Sequence, residues 1–127
     1  MKYLLDTHAI IWYFENLPKI PLRVLEIIDT RENNVCLSSA SLWEIAIKVN
    51  SGKLKLSFTL DKLLNDINAF DFKILQITTE YLLKLSTLPF IHKDPFDRLI
   101  VSSALAEDLT IITTDEHIQK YDVLCIW

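Results

Sequence analysis

Two aspartates, Asp94 and Asp97, stand three residues apart on either side of Pro95. Proline is favoured at the first position of a helix, because the N–H that it lacks would have no partner there. The spacing therefore predicts that Asp94 is the N-cap of a helix and that Asp97 lies in its first turn. At about 100° per residue, Asp97 falls on the apolar side of this helix. A lone carboxylate there is costly unless a positive group binds it, so Asp97 is either a candidate for chemistry or a second capping or ion-pair residue.

Three further acids occupy positions that suit a functional site. Asp6 follows the apolar run at residues 2–5, and Asp115 follows the apolar run at residues 109–113. Each of these two aspartates can also be explained as a helix N-cap. Glu44 lies in a segment that is apolar nearly all round, which predicts a mostly buried helix, and its ordinary explanation is an i, i+4 pair with Lys48.

Carboxylates that cluster repel one another and become partly protonated unless a cation holds them. Oxygen ligands suit hard ions such as Mg²⁺ or Mn²⁺, which activate a water molecule and neutralise the charge that develops on a phosphodiester. The chain has one glycine, so a glycine-rich phosphate loop is excluded. The three histidines have no metal-binding spacing to one another, and we expect them to be structural or peripheral: His8, His92 and His117. The serines near residue 40 lack a histidine partner in any hydrolase motif, which disfavours nucleophilic catalysis.

Short apolar runs alternate with helical periodicity along the chain. Strands are predicted at residues 2–5, 35–37, 73–78, 109–113 and 123–126, and helices at residues 7–15, 22–31, 39–50, 60–67, 80–88 and 95–107. This alternation indicates an α/β domain with a central, mainly parallel sheet of four to five strands and helices on both faces. Ligands of open parallel sheets bind at the carboxyl ends of the strands, where the strand order reverses. We therefore expect four acids to converge at that edge: Asp6, Glu44, Asp97 and Asp115.

Length and composition limit the class of protein. The 127 residues are 50% hydrophobic, and no linker or repeat interrupts them, so a single domain at residues 1–127 is expected. Cys36 and Cys125 lie in apolar runs, as free thiols of a reduced compartment do. The first apolar run is broken by Asp6 and is neither a signal peptide nor a membrane span, so a cytoplasmic location is expected.

The net charge of −4 argues against a protein that coats nucleic acid through bulk charge. It does not exclude an enzyme that acts on nucleic acid, because acids bound to a metal ion are locally neutralised. Five basic residues would then be available for phosphates: Lys48, Lys53, Lys55, Lys93 and Arg98.

Four stretches, in this order along the chain, resemble the PIN-domain ribonucleases, and among them the VapC-type toxins of bacterial toxin–antitoxin pairs. They are Leu4-Leu5-Asp6-Thr7-His8 with Trp12, Leu42-Trp43-Glu44-Ile45-Ala46-Ile47-Lys48 with Gly52-Lys53-Leu54, His92-Lys93-Asp94-Pro95-Phe96-Asp97-Arg98, and Thr113-Thr114-Asp115. The resemblance implies a PIN-like domain with metal-dependent endoribonuclease activity that uses Mg²⁺ or Mn²⁺. It places Asp6, Glu44, Asp97 and Asp115 on the metal-binding, catalytic positions, while Asp94 stays a cap. It also implies an RNA substrate, a homodimer and a cognate antitoxin that covers the site, with no membrane association.

Two other classes of function remain as alternatives. A receiver-like phosphoacceptor module is also a small parallel α/β domain with acids at its strand ends. It needs a phosphoacceptor aspartate at the third strand and a lysine after the last strand, whereas Asp6 follows the first strand and no lysine follows Val123. A non-catalytic PIN-like scaffold would be expected to have lost acids that are all present here.

An apolar surface for the antitoxin is expected from two segments. Leu60, Leu63, Leu64 and Ile67 follow the spacing of an amphipathic helix, and residues 12–14 are three consecutive aromatics. Three consecutive side chains on a helix cannot all face one core, so part of this surface should remain exposed as a groove for an amphipathic helix.

Overall fold

Five short parallel strands form the centre of the molecule, in the spatial order β3-β2-β1-β4-β5. The structure is a computed structural model, and it describes residues 2–127. The elements are β1 (Lys2–Leu5), α1 (Thr7–Phe14), α2 (Leu22–Asp29), β2 (Asn34–Ser38), α3 (Ser39–Asn50), α4 (Leu60–Ala69), β3 (Lys73–Leu75), α5 (Thr79–Ser86), α6 (Pro95–Glu107), β4 (Thr110–Ile112), α7 (Glu116–Gln119) and β5 (Cys125–Ile126). The predicted α/β fold is confirmed, and the sheet is parallel throughout rather than mainly so.

The central strand β1 pairs with β2 on one side and with β4 on the other. Leu4 lies opposite Cys36 of β2 and opposite Ile111 of β4. The chain therefore builds the sheet outwards from β1 through β2 to β3, and then crosses back to add β4 and β5 on the other side. The strand order reverses between β1 and β4, and this reversal defines the switch point at which a ligand site is expected.

Each face of the sheet carries its own hydrophobic core, because successive strand residues point to opposite faces. On one face, Leu5, Leu37 and Ile112 pack with residues of α1, α2, α3 and α4. On the other face, Leu4 and Ile111 pack with residues of α5, α6 and α7. The predicted placement of helices on both faces is confirmed, and near-continuous apolar strands are what a sheet covered on both sides requires.

The start of α6 and the end of α3 follow the sequence signals closely. Asp94 is the N-cap of α6, where its Oδ1 accepts hydrogen bonds from the N–H groups of Phe96 (2.8 Å) and Asp97 (3.0 Å), with Pro95 at the first helical position. Gly52, just beyond α3, has a φ of 77°, a left-handed conformation that glycine adopts without strain. Strands β3, β4 and β5 are shorter than predicted, because an apolar run does not show where pairing with the neighbouring strand ends.

The expectation that Arg98 is available for phosphates is wrong. Its side chain is buried, and Nη1 donates to the carbonyl of Pro89 (3.0 Å) and to the hydroxyl of Tyr121 (3.1 Å). Arg98 therefore links, through hydrogen bonds, the segment that precedes α6 to the segment that follows α7. A buried guanidinium needs this many acceptors to offset its loss of water.

The expected apolar surface is present in part. Leu63 and Ile67 are buried in the core, so the prediction that this helical stripe forms an exposed groove is wrong for these two residues. The three aromatics at residues 12–14 are all only partly buried. They line a groove of about 520 Å³ whose other walls include Leu17, Leu25 and Phe70. Among residues 2–127, no helix combines the length and the apolar character that crossing a bilayer requires.

Candidate active site

Asp6 lies directly after β1 and is held by both sides of the switch point. Its Oδ1 accepts a hydrogen bond from the N–H of Ala9 (2.8 Å), so it is the N-cap of α1, as its position also suggested. Its Oδ2 accepts a hydrogen bond from the hydroxyl of Thr113, the residue that follows β4. Burial raises the pKa of Asp6, while the hydrogen bonds from Thr113 and Ala9 oppose that rise. The carboxylate is thus fixed in place and poorly hydrated.

Asp115 lies near Asp6 because both residues form hydrogen bonds with Thr113. The N–H of Asp115 donates to the Thr113 hydroxyl oxygen (2.9 Å), so one threonine links the turn after β4 to the end of β1. Asp115 is also the N-cap of α7, where its Oδ1 accepts from the N–H of His117 (2.7 Å). Both predicted explanations of Asp115, as a cap and as a member of the acid cluster, are therefore compatible.

Glu44 reaches the site from α3 on the inward side of that helix. Its Oε1 accepts a hydrogen bond from the hydroxyl of Thr7 (2.8 Å), and its Oε2 forms an ion pair with Lys48 Nζ (2.8 Å). The expected i, i+4 pair is present. Glu44 is only 5% exposed, so this pair differs from the surface pairs that contribute little to stability.

The prediction that α3 is mostly buried is wrong. Trp43 is 58% exposed, and Ile47 and Val49 are exposed as well, while Ser41 and Glu44 are buried. The polar stripe of α3 thus faces the interior and part of its apolar surface faces solvent. This inversion of the usual arrangement is itself a sign that the polar stripe has a task inside the protein.

Asp97 is the acid whose pKa is raised by its burial and by the charges of the other acids at the site. Its side chain is 16% exposed, and its pKa is raised to about 8. Burial is the largest cause, followed by the negative charges of Asp94, Asp115, Glu44 and Asp6. Asp6, Glu44 and Asp115 therefore all lie within electrostatic range of Asp97, and so does Asp94.

The donor chemistry of this cluster fits a divalent cation. A carboxyl group that keeps its proton up to a pH of about 8 is one whose surroundings favour a positive partner. The side chains present are hard oxygen donors, as Mg²⁺ and Mn²⁺ prefer. His92, Asp94 and Asp97 also offer three ligand atoms that lie within 4.8 Å of one another.

Several residues of the site carried no clear signal in the sequence. Thr7 and Thr113 are buried hydroxyls that orient Glu44 and Asp6, and although both lie in the stretches that carry the family resemblance, no role was predicted for them. His92, expected to be structural or peripheral, lies beside the acids, with its Nε2 3.2 Å from Asp97 Oδ2. Its ring also stacks on that of His117, with the centroids 4.3 Å apart. No sequence spacing reveals such contacts.

Fold and site together define a class: parallel α/β domains that hold a cluster of carboxylates at the switch point of the sheet. Within that class, the model of the PIN domain family matches residues 3–124. The chain therefore belongs to the PIN domain family. The receiver-like alternative is accordingly wrong. The comparison with curated protein sequences gives no match.

Several solved structures share this fold, and VapBC complexes are among them. VapBC2 from Rickettsia felis, bound to a DNA fragment from its promoter, is similar with a TM-score of 0.75 and 19% identity, covering 99% of this chain and 98% of that chain. FitAcB from Neisseria gonorrhoeae is similar with a TM-score of 0.67 and 23% identity, covering 98% and 96%. DNA-bound VapBC from Salmonella typhimurium is similar with a TM-score of 0.69 and 19% identity, covering 99% and 97%. These likenesses extend over essentially the whole domain.

Proposed function

We propose that this protein is a metal-dependent endoribonuclease that hydrolyses RNA phosphodiester bonds. The observation that carries the proposal is the convergence of acids from three other parts of the chain on Asp97, whose pKa is raised to about 8 by burial and by these charges. A cluster of this kind is costly to maintain in a core unless it binds a cation. The membership of the PIN domain family supports nuclease chemistry for it.

The four acids that would hold Mg²⁺ or Mn²⁺ are Asp6, Glu44, Asp97 and Asp115. When bound at these carboxylates, such an ion would supply a water of lowered pKa and would neutralise charge on the phosphodiester. Thr113 and Thr7 contribute by fixing the carboxylates of Asp6 and Glu44, which limits the reorganisation needed before reaction.

Lys48 is the basic residue best placed to bind a phosphate of the substrate. Its side chain is partly exposed, and it pairs with Glu44 Oε2 at 2.8 Å. The pair with Glu44 and the charges of Asp94 and Asp97 raise the pKa of Lys48, so the ammonium group stays charged beside the site. An ammonium that is held on one side by a carboxylate can donate on its other side to a phosphate oxygen.

Metal-dependent cleavage of RNA is the direct test. The purified protein is incubated with total RNA in Mg²⁺, Mn²⁺ or EDTA, and the new RNA ends are mapped. We expect discrete cleavage sites that depend on the added metal and vanish with EDTA, while duplex DNA of similar length stays intact. Absence of metal-dependent RNA cleavage would instead favour the alternative of a non-catalytic PIN-like scaffold.

We further propose that the protein is the toxin of a type II, VapBC-like pair, acts in the cytoplasm as a homodimer, and is inhibited by a cognate antitoxin. The structural similarity to toxin–antitoxin complexes supports this assignment. The groove between α1, α2 and α4 has apolar walls at Trp12, Tyr13 and Phe14 and polar groups at Asp29, Lys62 and Asp66, a mixture that suits the two faces of an amphipathic antitoxin helix. A basic side chain of the antitoxin that reached Asp6 or Asp97 would compete with the metal ion.

Co-expression tests the toxin assignment. We expect the tagged protein to be poorly tolerated when it is produced alone and to co-purify with the product of the neighbouring gene, in a complex that does not cleave RNA. Leu17→Glu, which changes the wall of the groove, should weaken that capture. Leu22→Glu is the matched control, because Leu22 is exposed but does not line the groove. A neighbour that does not bind, or a complex as active as the free protein, would remove the toxin assignment and leave the nuclease assignment standing.

A further inference from the structure

His92 is held beside Asp97 by contacts on three sides. Its Nε2 lies 3.2 Å from Asp97 Oδ2, and its side chain is 23% exposed. Its ring lies nearly parallel to that of His117, at an interplanar angle of 4°. Its backbone N–H donates to the hydroxyl of Tyr121 (2.9 Å), which is itself held by Arg98. The imidazole is therefore fixed with Nε2 directed at the acid cluster.

We propose that His92 supplies a nitrogen ligand to the divalent ion that Asp97 binds, so that the site is a mixed nitrogen and oxygen site rather than an all-carboxylate one. This inference rests on the proposed metal dependence of the nuclease. Two neighbouring ligands of an octahedral ion at about 2.1 Å stand roughly 3 Å apart, which agrees with the separation of His92 Nε2 from Asp97 Oδ2.

Asp94 is the other group within reach, and the structure gives it a different role. Its Oδ1 already accepts two hydrogen bonds from the backbone at the start of α6. His92 Nε2, in contrast, lies 3.2 Å from Asp97 Oδ2, within the cluster of potential ligand atoms that His92, Asp94 and Asp97 form together. The ion is therefore assigned to His92 and Asp97 from this segment, and Asp94 remains the cap.

An imidazole ligand changes the choice of metal. Mg²⁺ takes oxygen ligands almost exclusively, whereas imidazole nitrogen is a better ligand for transition-metal ions. The site should accordingly prefer Mn²⁺ to Mg²⁺. Replacement of His92 by glutamine, which can still donate a hydrogen bond to Asp97, should lower the affinity for Mn²⁺ by at least about tenfold and affect the affinity for Mg²⁺ less.

Pulsed electron paramagnetic resonance of bound Mn²⁺ tests the assignment without reference to activity. The full chain is loaded with Mn²⁺ alone and compared with a sample in which only the histidines carry ¹⁵N. We expect a nitrogen coupling in the wild type that changes with the isotope, is lost in His92→Gln, and is retained in the control variant His8→Gln. The isotope comparison uses the wild type, so it stands even if a variant does not fold.

The outcomes separate this inference from the proposed function. Bound Mn²⁺ without nitrogen coupling, or a coupling that persists in His92→Gln, overturns the assignment of His92 while the metal-dependent nuclease stands. Loss of the nitrogen coupling in His8→Gln, with the coupling kept in His92→Gln, would also overturn the assignment of His92. A wild-type protein that binds no Mn²⁺ removes the metal dependence itself, and the proposed function falls with it.

Discussion

Asp97→Asn is expected to reduce RNA cleavage by at least about 100-fold while leaving the fold intact. The amide keeps the volume of the side chain but removes the charge that would hold a metal ion, at the position where burial and four other acids act together. The measurement is the rate of cleavage of a mapped RNA site in Mg²⁺ or Mn²⁺, with circular dichroism to show that the fold is kept.

Asp94→Asn is the matched control for this substitution, since it makes the same chemical change three residues away. Asparagine caps a helix as well as aspartate does, so the two hydrogen bonds to the start of α6 should survive. Cleavage should stay within about threefold of the wild type, since Asn and Asp are equal N-caps and the start of α6 keeps Asp97 in place. An equal loss of cleavage in both variants would show that Asp94 is also a metal ligand and that the division of roles is wrong.

The metal-free protein is expected to lose stability as the pH rises from about 4 to about 8. The pKa of Asp97 is 3.8 in its ordinary state and about 8 in the folded protein, so the folded state binds more protons than the unfolded state between these values. Stability falls with pH wherever the folded state binds the more protons, so this contribution is complete at low pH and is lost as the pH approaches 8. Urea unfolding in EDTA at a series of pH values measures it.

Asp97→Asn and added metal identify the origin of that pH dependence. The variant removes the titrating group, so its stability should change less with pH and should exceed that of the wild type at pH 8. Mg²⁺ or Mn²⁺ should raise the Tm of the wild type more at pH 8 than at pH 5, because the metal competes with the proton for the same carboxylates. If the wild type and the variant had the same pH profile, the acids would not share a site.

The sequence predicts well those features that depend on neighbours in the chain. The helix start at Asp94 and Pro95 and the glycine after α3 both follow from local backbone chemistry and are confirmed. The alternation of apolar runs with helical periodicity predicts the parallel sheet, the helices on its two faces and the edge of the sheet at which the acids lie. Such patterns reflect the backbone preferences and the apolar face of each segment, which do not depend on contacts with distant parts of the chain.

Features that depend on partners far along the chain could not be predicted. Thr113 reaches Asp6 across the switch point, and Arg98 binds the hydroxyl of Tyr121, because the register of the sheet and the packing of α6 bring them together. The inward polar stripe of α3 is a similar case. Its periodicity shows two faces but not which of them is buried, and in the structure Glu44 faces inward, where the hydroxyl of Thr7 donates to it.

The Thr113 hydroxyl, which links Asp6 to Asp115, also affects the stage of protein synthesis at which the site can be completed. Asp6 is made among the first residues of the chain, while Thr113 and Asp115 are made near its end, and β4 can pair with β1 only after residue 110 has been added. A nascent chain on the ribosome thus carries Asp6 and Glu44 long before Thr113 and Asp115 are made. The long sequence separation of these contacts delays assembly of the acid cluster to the last stage of folding. A growing chain therefore cannot hold the complete set of acids close to the RNA from which it is being translated.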